Sequence, residues 1–126
     1  MVHNIKRILI VEDNAIAALS AKRIFEKLGC QVEHVDNGET AIQLVKDRNF
    51  DGICMDIGLP TISGTETCKV IRDHEALNQL KPIPIVAVTG NYSPEEMKSY
   101  LKAGMQEVIK KPLTKEMAEH FLSFCK

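Results

Sequence analysis

Acidic residues follow two apolar runs of this sequence. Asp56 ends the segment that begins at Phe50, and the pair Glu12 and Asp13 comes directly after the run 8–11. Three carboxylates that converge on one cleft repel one another by several kcal/mol per close pair, even at an effective dielectric constant of about 20. They must bind protons or share a cation, and an all-oxygen ligand set favours Mg²⁺ or Mn²⁺ over zinc. The alternative is that Glu12 and Asp13 are solvated loop residues at the start of a helix.

A hydroxyl and an ammonium group follow two further apolar runs. Thr89 comes after the run 83–88, and Lys111 comes after the run 107–110. Both groups can donate hydrogen bonds to phosphoryl oxygens, and a carboxylate such as Asp56 can form an acyl phosphate as well as bind a metal ion. Together these residue types predict a site for a divalent metal and a phosphoryl group. A solvated loop would explain the lysine alone equally well.

Strand-like and helix-like segments alternate five times along the chain. The predicted strands are 7–11, 31–35, 50–55, 83–88 and 107–110. The first, third and fourth are nearly continuous apolar runs, which is typical of strands that helices cover on both faces. The second alternates in polarity and indicates an edge strand. Five βα repeats with short links predict an open α/β sheet that binds its ligands at the carboxyl ends of the strands, where the polar residues above lie.

Helix start and stop signals lie between the predicted strands. Residues that favour the N-cap position precede three of the helices, Asn14, Ser93 and Thr114, and another helix follows Asn37 and Gly38. Ser93 and Glu96 have the spacing of a capping box, and Gly29 stands where the first helix should end. A third helix begins near Gly64 and is expected to fray in the polar stretch 74–79.

Composition and charge limit the class of protein. A chain of 126 residues suffices for one domain with a real core, and 44% hydrophobic and 26% charged residues are ordinary for a globular protein. The net charge of −1 provides no basic excess for binding nucleic acid, and no run approaches the roughly 20 apolar residues of a membrane span. The start lacks a secretory signal and the four cysteines lack Cys-x-x-Cys spacing. We therefore expect reduced thiols, a cytoplasmic location and no membrane contact.

Taken together, these residues resemble the receiver domain of two-component response regulators. The similarity lies in the joint spacing of five short segments: 11–14 (Val-Glu-Asp-Asn), 55–60 (Met-Asp-Ile-Gly-Leu-Pro), 63–64 (Ser-Gly), 88–90 (Val-Thr-Gly) and 111–112 (Lys-Pro). The resemblance covers essentially the full length and implies a single receiver domain over residues 1–126. It also implies a flavodoxin-like (βα)₅ fold, a three-layer α/β sandwich in which a five-stranded parallel sheet has the order 2-1-3-4-5.

The resemblance implies roles for the residues at the strand ends. Asp56 would accept a phosphoryl group from the phosphohistidine of a histidine kinase or a histidine phosphotransfer domain. Thr89 would turn toward the phosphoryl group, and Lys111 would pair with it. The ligands of Mg²⁺ (or Mn²⁺) would be Glu12, Asp13, Asp56 and the main-chain carbonyl of Gly58.

By the same resemblance the domain would be a signalling switch rather than an enzyme, catalysing at most its own phosphorylation and dephosphorylation. Phosphorylation would alter the face formed by the fourth helix, fifth strand and fifth helix. The last helices could also form a homodimer. The amino-acid sequences of segments 11–14 and 55–60 resemble the receiver of a hybrid histidine kinase more than that of a transcriptional regulator.

Two other functions would use part of the same set of residues. A haloacid-dehalogenase-type phosphatase would need a second aspartate two residues after Asp56, where this chain has Gly58. A receiver-like interaction module that works without phosphorylation is the other alternative, and the full set of acidic and basic residues argues against it.

Val108 stands where receivers commonly carry an aromatic residue whose rotation accompanies the threonine movement. The histidines are expected to be ordinary surface residues: His3, His34, His74 and His120.

Overall fold

The computed structural model describes residues 5–125 and confirms the predicted α/β fold. The elements are β1 (Arg7–Val11), α1 (Ala15–Lys27), β2 (Gln31–Val35), α2 (Gly38–Asp47), β3 (Gly52–Asp56), α3 (Gly64–Leu77), β4 (Ile85–Thr89), α4 (Pro94–Lys102), β5 (Glu107–Lys110) and α5 (Lys115–Leu122). All neighbouring strands are parallel, in the predicted order β2-β1-β3-β4-β5. β2 therefore lies at an edge, as its alternating pattern indicated.

Helices cover both faces of the sheet because successive strand side chains point in opposite directions. On β3, Ile53 and Met55 belong to a core cluster with residues of α2, α3 and α4, whereas Cys54 belongs to a cluster with residues of α1 and α5. Phe25 and Phe121 join α1 to α5 in the second cluster, edge to face with ring centroids 6.2 Å apart. Every residue of β3 is buried, so the strand is a rigid support for whatever lies at its end.

Side-chain caps start the helices where the sequence predicted them. The N-cap residues include the three expected ones, Asn14, Ser93 and Thr114, and Asn37 caps α2. Ser93 and Glu96 form the predicted capping box, and a second box, between Ser63 and Glu66, starts α3. Such caps each contribute about 1 kcal/mol. Across residues 5–125 no helix has both the length and the apolar character needed to cross a membrane.

The third and fourth strands differ from their predicted ranges. Both begin two residues later and end one residue later than expected. For β4 the late start follows from Pro84, which has no N–H to donate to the ladder. The late ends make Asp56 the last residue of β3 and Thr89 the last residue of β4, rather than residues that follow these strands.

α3 continues to Leu77, so the expected fraying of its end is wrong. Glu75, whose side chain is almost fully buried, holds the last turns in place. One oxygen of Glu75 accepts a hydrogen bond from Arg72 at 2.7 Å, and the other accepts one from the backbone N–H of Ile83 at 2.7 Å. Arg72 also donates twice to the carbonyl of Gly104, at 3.1 and 2.8 Å. This network joins the end of α3 to the segments that enter β4 and β5.

α4 is held mainly at its C-terminal end. Tyr100 is its one buried residue, while Met97 and Leu101 are exposed. The carbonyl of Ala103, just past the helix, accepts a hydrogen bond from the thiol of Cys68 at 3.5 Å. The next carbonyl, that of Gly104, accepts hydrogen bonds from Arg72 of α3. Within residues 5–125, the first turns of α4 make no comparable hydrogen bonds to the core.

The four cysteines are free and buried, which confirms the expectation of unpaired thiols. Burial raises the pKa of Cys68 to about 11 and that of Cys125 to about 12. Both thiols therefore stay protonated at neutral pH and behave as small apolar core residues.

Candidate functional site

The acidic cluster lies where the first and third strands end. β1 and β3 are neighbours, with Val11 beside Met55 in their register, so Glu12 and Asp56 emerge side by side. Ligand oxygens of Glu12, Asp13 and Asp56 lie within 4.8 Å of one another. Glu12 and Asp56 are buried, whereas Asp13 is exposed. The structure thus brings together the three carboxylates that the sequence analysis singled out.

One lysine enters this cluster from β5. The backbone N–H of Lys111 donates to the carbonyl of Thr89 at 2.8 Å, which places the lysine beside the neighbouring strand ends. Its Nζ lies 2.8 Å from Glu12 Oε1 and 3.3 Å from Asp56 Oδ1. Two of the three carboxylates contact this one ammonium group, so the cluster has excess negative charge until protons or another cation bind.

Burial and crowding shift two pKa values in the cluster. Burial raises the pKa of Asp56, and a hydrogen bond and the negative charge of Glu12 raise it further, while Lys111 and Asp13 oppose the shift. Burial by itself lowers the pKa of Lys111, but contacts with Glu12 and Asp56 outweigh that effect and raise it overall. Asp56 is thus a carboxyl group whose charged form needs added positive charge.

Glu12 is fixed through both its side chain and its backbone. Its Oε2 accepts a hydrogen bond from the N–H of Asn14 at 3.2 Å, and its own N–H donates to the carbonyl of Val35 at 3.0 Å. Its carbonyl oxygen lies 2.8 Å from Nε2 of His34. His34 is exposed, as expected, but it is not an inert surface residue. The sequence carries no signal for this contact, because the two residues are 22 positions apart and no periodic pattern links them.

The loop after β3 packs closely around Asp56. The N–H of Gly64 donates to the carbonyl of Ile57 at 3.0 Å, and any side chain at Gly64 would overlap the carbonyl of Asp56. Glycine is therefore required for α3 to start directly against the end of β3. The N–H of Gly58 lies 3.3 Å from Asp56 Oδ1, and the space beside its Cα is open. A metal contact through the Gly58 carbonyl stays a prediction.

Thr89 ends β4 next to the cluster, but its hydroxyl is engaged elsewhere. It donates to the carbonyl of Asn91 at 3.1 Å, and within residues 5–125 its side chain makes no hydrogen bond to the acidic cluster. Val108 is buried in the core cluster that includes residues of α4, and Tyr92 packs against that cluster. The structure therefore places Thr89 at the edge of the site rather than in it.

The donor set of the acidic cluster fits a hard divalent cation. All its ligand atoms are carboxylate oxygens, and among residues 5–125 neither an imidazole nor a thiol belongs to the group. Mg²⁺ and Mn²⁺ prefer such oxygens, and the double positive charge would relieve the repulsion between the buried carboxylates.

An apolar cleft of about 450 Å³ adjoins the acidic cluster. Its walls include Ala17 and Ala21 of α1 and Leu113 after β5, and Asp56 also lines it. Ile16, which also borders the cleft, is 81% exposed. This surface could not be predicted from the sequence, because apolar residues on a helix are expected on its buried face.

Comparison with known proteins assigns the chain to a family. The family model for the response regulator receiver domain matches residues 8–121. The sensor histidine kinase GacS of Pseudomonas protegens is 32% identical over 108 residues, which is 86% of this chain and 12% of that protein. The transcription factor SKN7 of Saccharomyces cerevisiae is 30% identical over 109 residues, which is 86% of this chain and 17% of that protein. The chain thus spans less than a fifth of the length of these relatives.

Solved structures match over nearly the whole chain. A receiver domain of a sensor histidine kinase from Pseudomonas aeruginosa, with a magnesium ion coordinated in its active site cleft, is 28% identical with a TM-score of 0.84. That match covers 97% of this chain and 98% of the other. The chemotaxis protein CheY4 of Vibrio cholerae shares the fold, with a TM-score of 0.86 at 24% identity over 98% of this chain and 100% of its own.

The parallel sheet and the acidic cluster at its carboxyl edge are compatible with Mg²⁺ binding and with phosphorylation of an aspartate. The chain belongs to the family of response regulator receiver domains, which act in two-component systems. The resemblance recognised from the sequence and the fold that it implied are both confirmed.

Proposed function

We propose that Asp56 is the phosphoacceptor of this receiver domain and that the phosphoryl group comes from a phosphohistidine, on a histidine kinase or a histidine phosphotransfer domain, in a reaction that requires Mg²⁺. The observation that carries the proposal is the grouping of a buried Asp56 with two further carboxylates and with the ammonium of Lys111 at 3.3 Å. Such an arrangement costs stability until a cation binds, and the bound cation together with Lys111 can then balance the charge of a phosphoryl group.

In the transfer, a carboxylate oxygen of Asp56 forms a bond to phosphorus while the bond between phosphorus and the donor imidazole nitrogen breaks. The imidazole leaves with the electron pair of that bond and takes up a proton from water. Lys111 stays beside the attacking oxygen and balances the negative charge of the phosphoryl oxygens. Burial strengthens this interaction, because little water remains to screen it.

The metal ligands in this proposal are Glu12, Asp13, Asp56 and the main-chain carbonyl of Gly58. When bound, Mg²⁺ supplies positive charge next to the phosphoryl oxygens, and Mn²⁺ would serve the same purpose. The magnesium ion in the related Pseudomonas aeruginosa receiver domain supports this assignment.

Thr89 supplies the link from phosphorylation to the surface. After transfer, its hydroxyl exchanges the carbonyl of Asn91 for a phosphoryl oxygen, which releases the loop that leads into α4. Because position 108 is a buried valine, this loop and α4 carry the change instead of a rotating aromatic side chain. The altered face comprises α4, β5 and α5, where the exposed Met97 and Leu101 offer an apolar surface for a partner or for a second copy of the chain.

Incubation with Mg²⁺ and acetyl phosphate, followed by intact mass measurement, tests the phosphoacceptor. We expect a phosphate-sized gain for wild type, and none for D56N or for wild type without Mg²⁺. D73N is the matched control, since Asp73 is an exposed aspartate on α3, and it should gain phosphate like wild type. No gain in wild type, or an equal gain in D56N, would favour the interaction module that works without phosphorylation.

The exposed apolar residues of α1 support docking of the phosphohistidine donor. Ile16 and Leu19 are three residues apart, so they share one helix face beside the cleft that Asp56 lines. I16D should slow transfer from a phosphorylated histidine phosphotransfer domain at least tenfold while phosphorylation by acetyl phosphate stays unchanged. L77D, which alters an equally exposed leucine at the end of α3, should leave both rates unchanged.

We further propose that residues 1–126 form one receiver domain of a cytoplasmic hybrid histidine kinase. The match of the family model to residues 8–121 and the similarity to a sensor histidine kinase support this proposal. The net charge of −1 supports a domain that does not itself bind nucleic acid.

A further inference from the structure

The backbone carbonyl of Glu12 has a side-chain partner instead of a backbone one. The parallel ladder between β1 and β2 continues one step past β1, where the N–H of Glu12 donates to the carbonyl of Val35 at 3.0 Å. β2 ends at Val35, and among residues 5–125 no backbone N–H donates to the Glu12 carbonyl. The imidazole of His34 fills this place, with Nε2 at 2.8 Å from the oxygen.

His34 is the donor in this contact. A carbonyl oxygen can only accept, so Nε2 carries the proton. In the sheet register His34 lies beside Ile10, two residues before Glu12, and its ring reaches forward along the edge of the sheet. The residue is exposed and belongs to neither core cluster, so packing does not explain its presence there.

The hydrogen bond from His34 fixes the direction in which the backbone enters Asp13. The peptide unit between Glu12 and Asp13 is planar, so fixing the Glu12 carbonyl also fixes the orientation in which the chain enters Asp13. Asp13 is the exposed member of the acidic cluster, whereas Glu12 is held by the Asn14 amide and by Lys111. The position of the Asp13 carboxylate therefore depends most on its backbone.

We propose that His34 is a positioning residue for the divalent cation site. Its Nε2–H, acting through the Glu12 carbonyl, orients the Glu12–Asp13 peptide so that both carboxylates converge with that of Asp56. This inference rests on the proposed function of the acidic cluster as a metal site. His34 itself touches neither the cation nor the phosphoryl group, so its loss weakens cation binding without preventing phosphoryl transfer.

Mn²⁺ binding, followed by the electron paramagnetic resonance signal of the free ion and by Mg²⁺ competition, tests this role in three variants. H34L removes the donor, and we expect about tenfold weaker binding, at the lower end of losses for groups that orient metal ligands. H34Q places an amide N–H near the position of Nε2 and should restore most of the affinity. Q31L adds the same apolar group to an exposed position of β2 away from Glu12 and should bind like wild type.

Two further measurements separate positioning from loss of structure. The urea denaturation curve of H34L in metal-free buffer should keep the slope and cooperativity of the wild-type curve, which shows that the variant is folded. At saturating Mg²⁺, its rate of phosphorylation by acetyl phosphate should approach the wild-type rate, so the defect appears in the Mg²⁺ concentration required.

The outcomes distinguish this inference from the proposed function on which it rests. Equal Mn²⁺ affinities for wild type and H34L, with D56N binding weakly, would overturn the role of His34 and leave the metal site intact. Equal losses in H34L and H34Q would also overturn it, because the donor would then not be the group that matters. Failure of wild type to bind the ion would overturn both.

Discussion

Buried glutamates lie at both ends of the central sheet, but their surroundings differ. At the end where β4 and β5 begin, each carboxylate oxygen of Glu75 has its own donor at 2.7 Å. At the opposite end, Glu12 and Asp56 share the single ammonium of Lys111, with Asp13 close by. The first group is closed, because its charge and hydrogen-bonding capacity are satisfied within the protein. The second is open, because it needs something from solution.

The comparison shows how burial of charge separates structural roles from ligand-binding ones. A buried ion pair with matched partners holds elements together, and breaking it by removing one partner is costly. A buried cluster with unmatched charge destabilises the unliganded fold and gains most when a ligand of opposite charge arrives. Each of these statements predicts a different response to mutation.

Removal of Glu75 should produce the largest change in stability. E75A deprives Arg72 of its partner and leaves the N–H of Ile83 unpaired, so we expect a loss of about 3 kcal/mol in unfolding free energy. E75Q keeps an oxygen for that N–H and should lose less. Because the chain has no tryptophan, urea denaturation is best followed by circular dichroism. An E75A protein as stable as wild type would contradict the structural role assigned to the Glu75 carboxylate.

Mg²⁺ should stabilise the protein through the carboxyl edge alone. At 100 times its Kd, the ion should add about 2.7 kcal/mol to the unfolding free energy of wild type. E75A should gain the same increment from a lower starting value, because its change lies at the other end of the sheet. D56N should gain less, since one carboxylate is missing. Urea denaturation in Mg²⁺ and in EDTA measures the increments, and equal gains for wild type and D56N would contradict the proposed ligand set.

Without metal, D56N should be more stable than wild type at pH 7. Loss of a buried negative charge relieves the repulsion with Glu12, which keeps Lys111 as its partner, so D56N should unfold at a higher urea concentration than wild type. D13N is the control for this change and should have a smaller effect because Asp13 is exposed. Denaturation in EDTA provides the measurement. A destabilised D56N would mean that the contact with Lys111 outweighs the repulsion.

The stability difference between wild type and D56N should depend on pH. Burial and Glu12 raise the pKa of Asp56 in the folded state above its ordinary value of 3.8. Ionisation of Asp56 therefore opposes folding, and this cost is full above the folded pKa and absent below 3.8. The advantage of D56N should shrink as the pH falls from 7 toward 3.8. Denaturation in EDTA at intermediate pH values checks this trend, and a constant difference would argue against the shift.

The carboxyl edge could be predicted from the sequence because parallel strands bring their ends to one side. Once the apolar runs are recognised, Glu12, Asp56 and Lys111 have to meet there, whatever the details of the loops. Their strand ends were misjudged by one residue at most, and a short strand tolerates that error. The conformation of Thr89 could not be predicted, since it depends on a loop carbonyl that competes for the same hydroxyl.

The burial of Glu75 at the other end of the sheet could not be predicted, for a physical reason. Glu75 lies in a polar stretch that suggests a solvated helix end, and its burial depends on Arg72 and on the N–H of Ile83, which the chain brings back only after a turn. The contact between His34 and the Glu12 carbonyl is similar. In both cases a side chain forms a hydrogen bond with a backbone group that is not adjacent in sequence. No periodic sequence pattern indicates such a contact.

The sparse attachment of α4 has a consequence for motion. A helix of nine residues with one buried side chain can leave the surface without opening the sheet, so its local opening should require far less free energy than exposure of β3. Its amide hydrogens should therefore exchange with solvent long before those of the central strand. Because Cys68 and Arg72 hold its far end, the detachment would resemble a hinged flap that lifts from the side nearest Asn91.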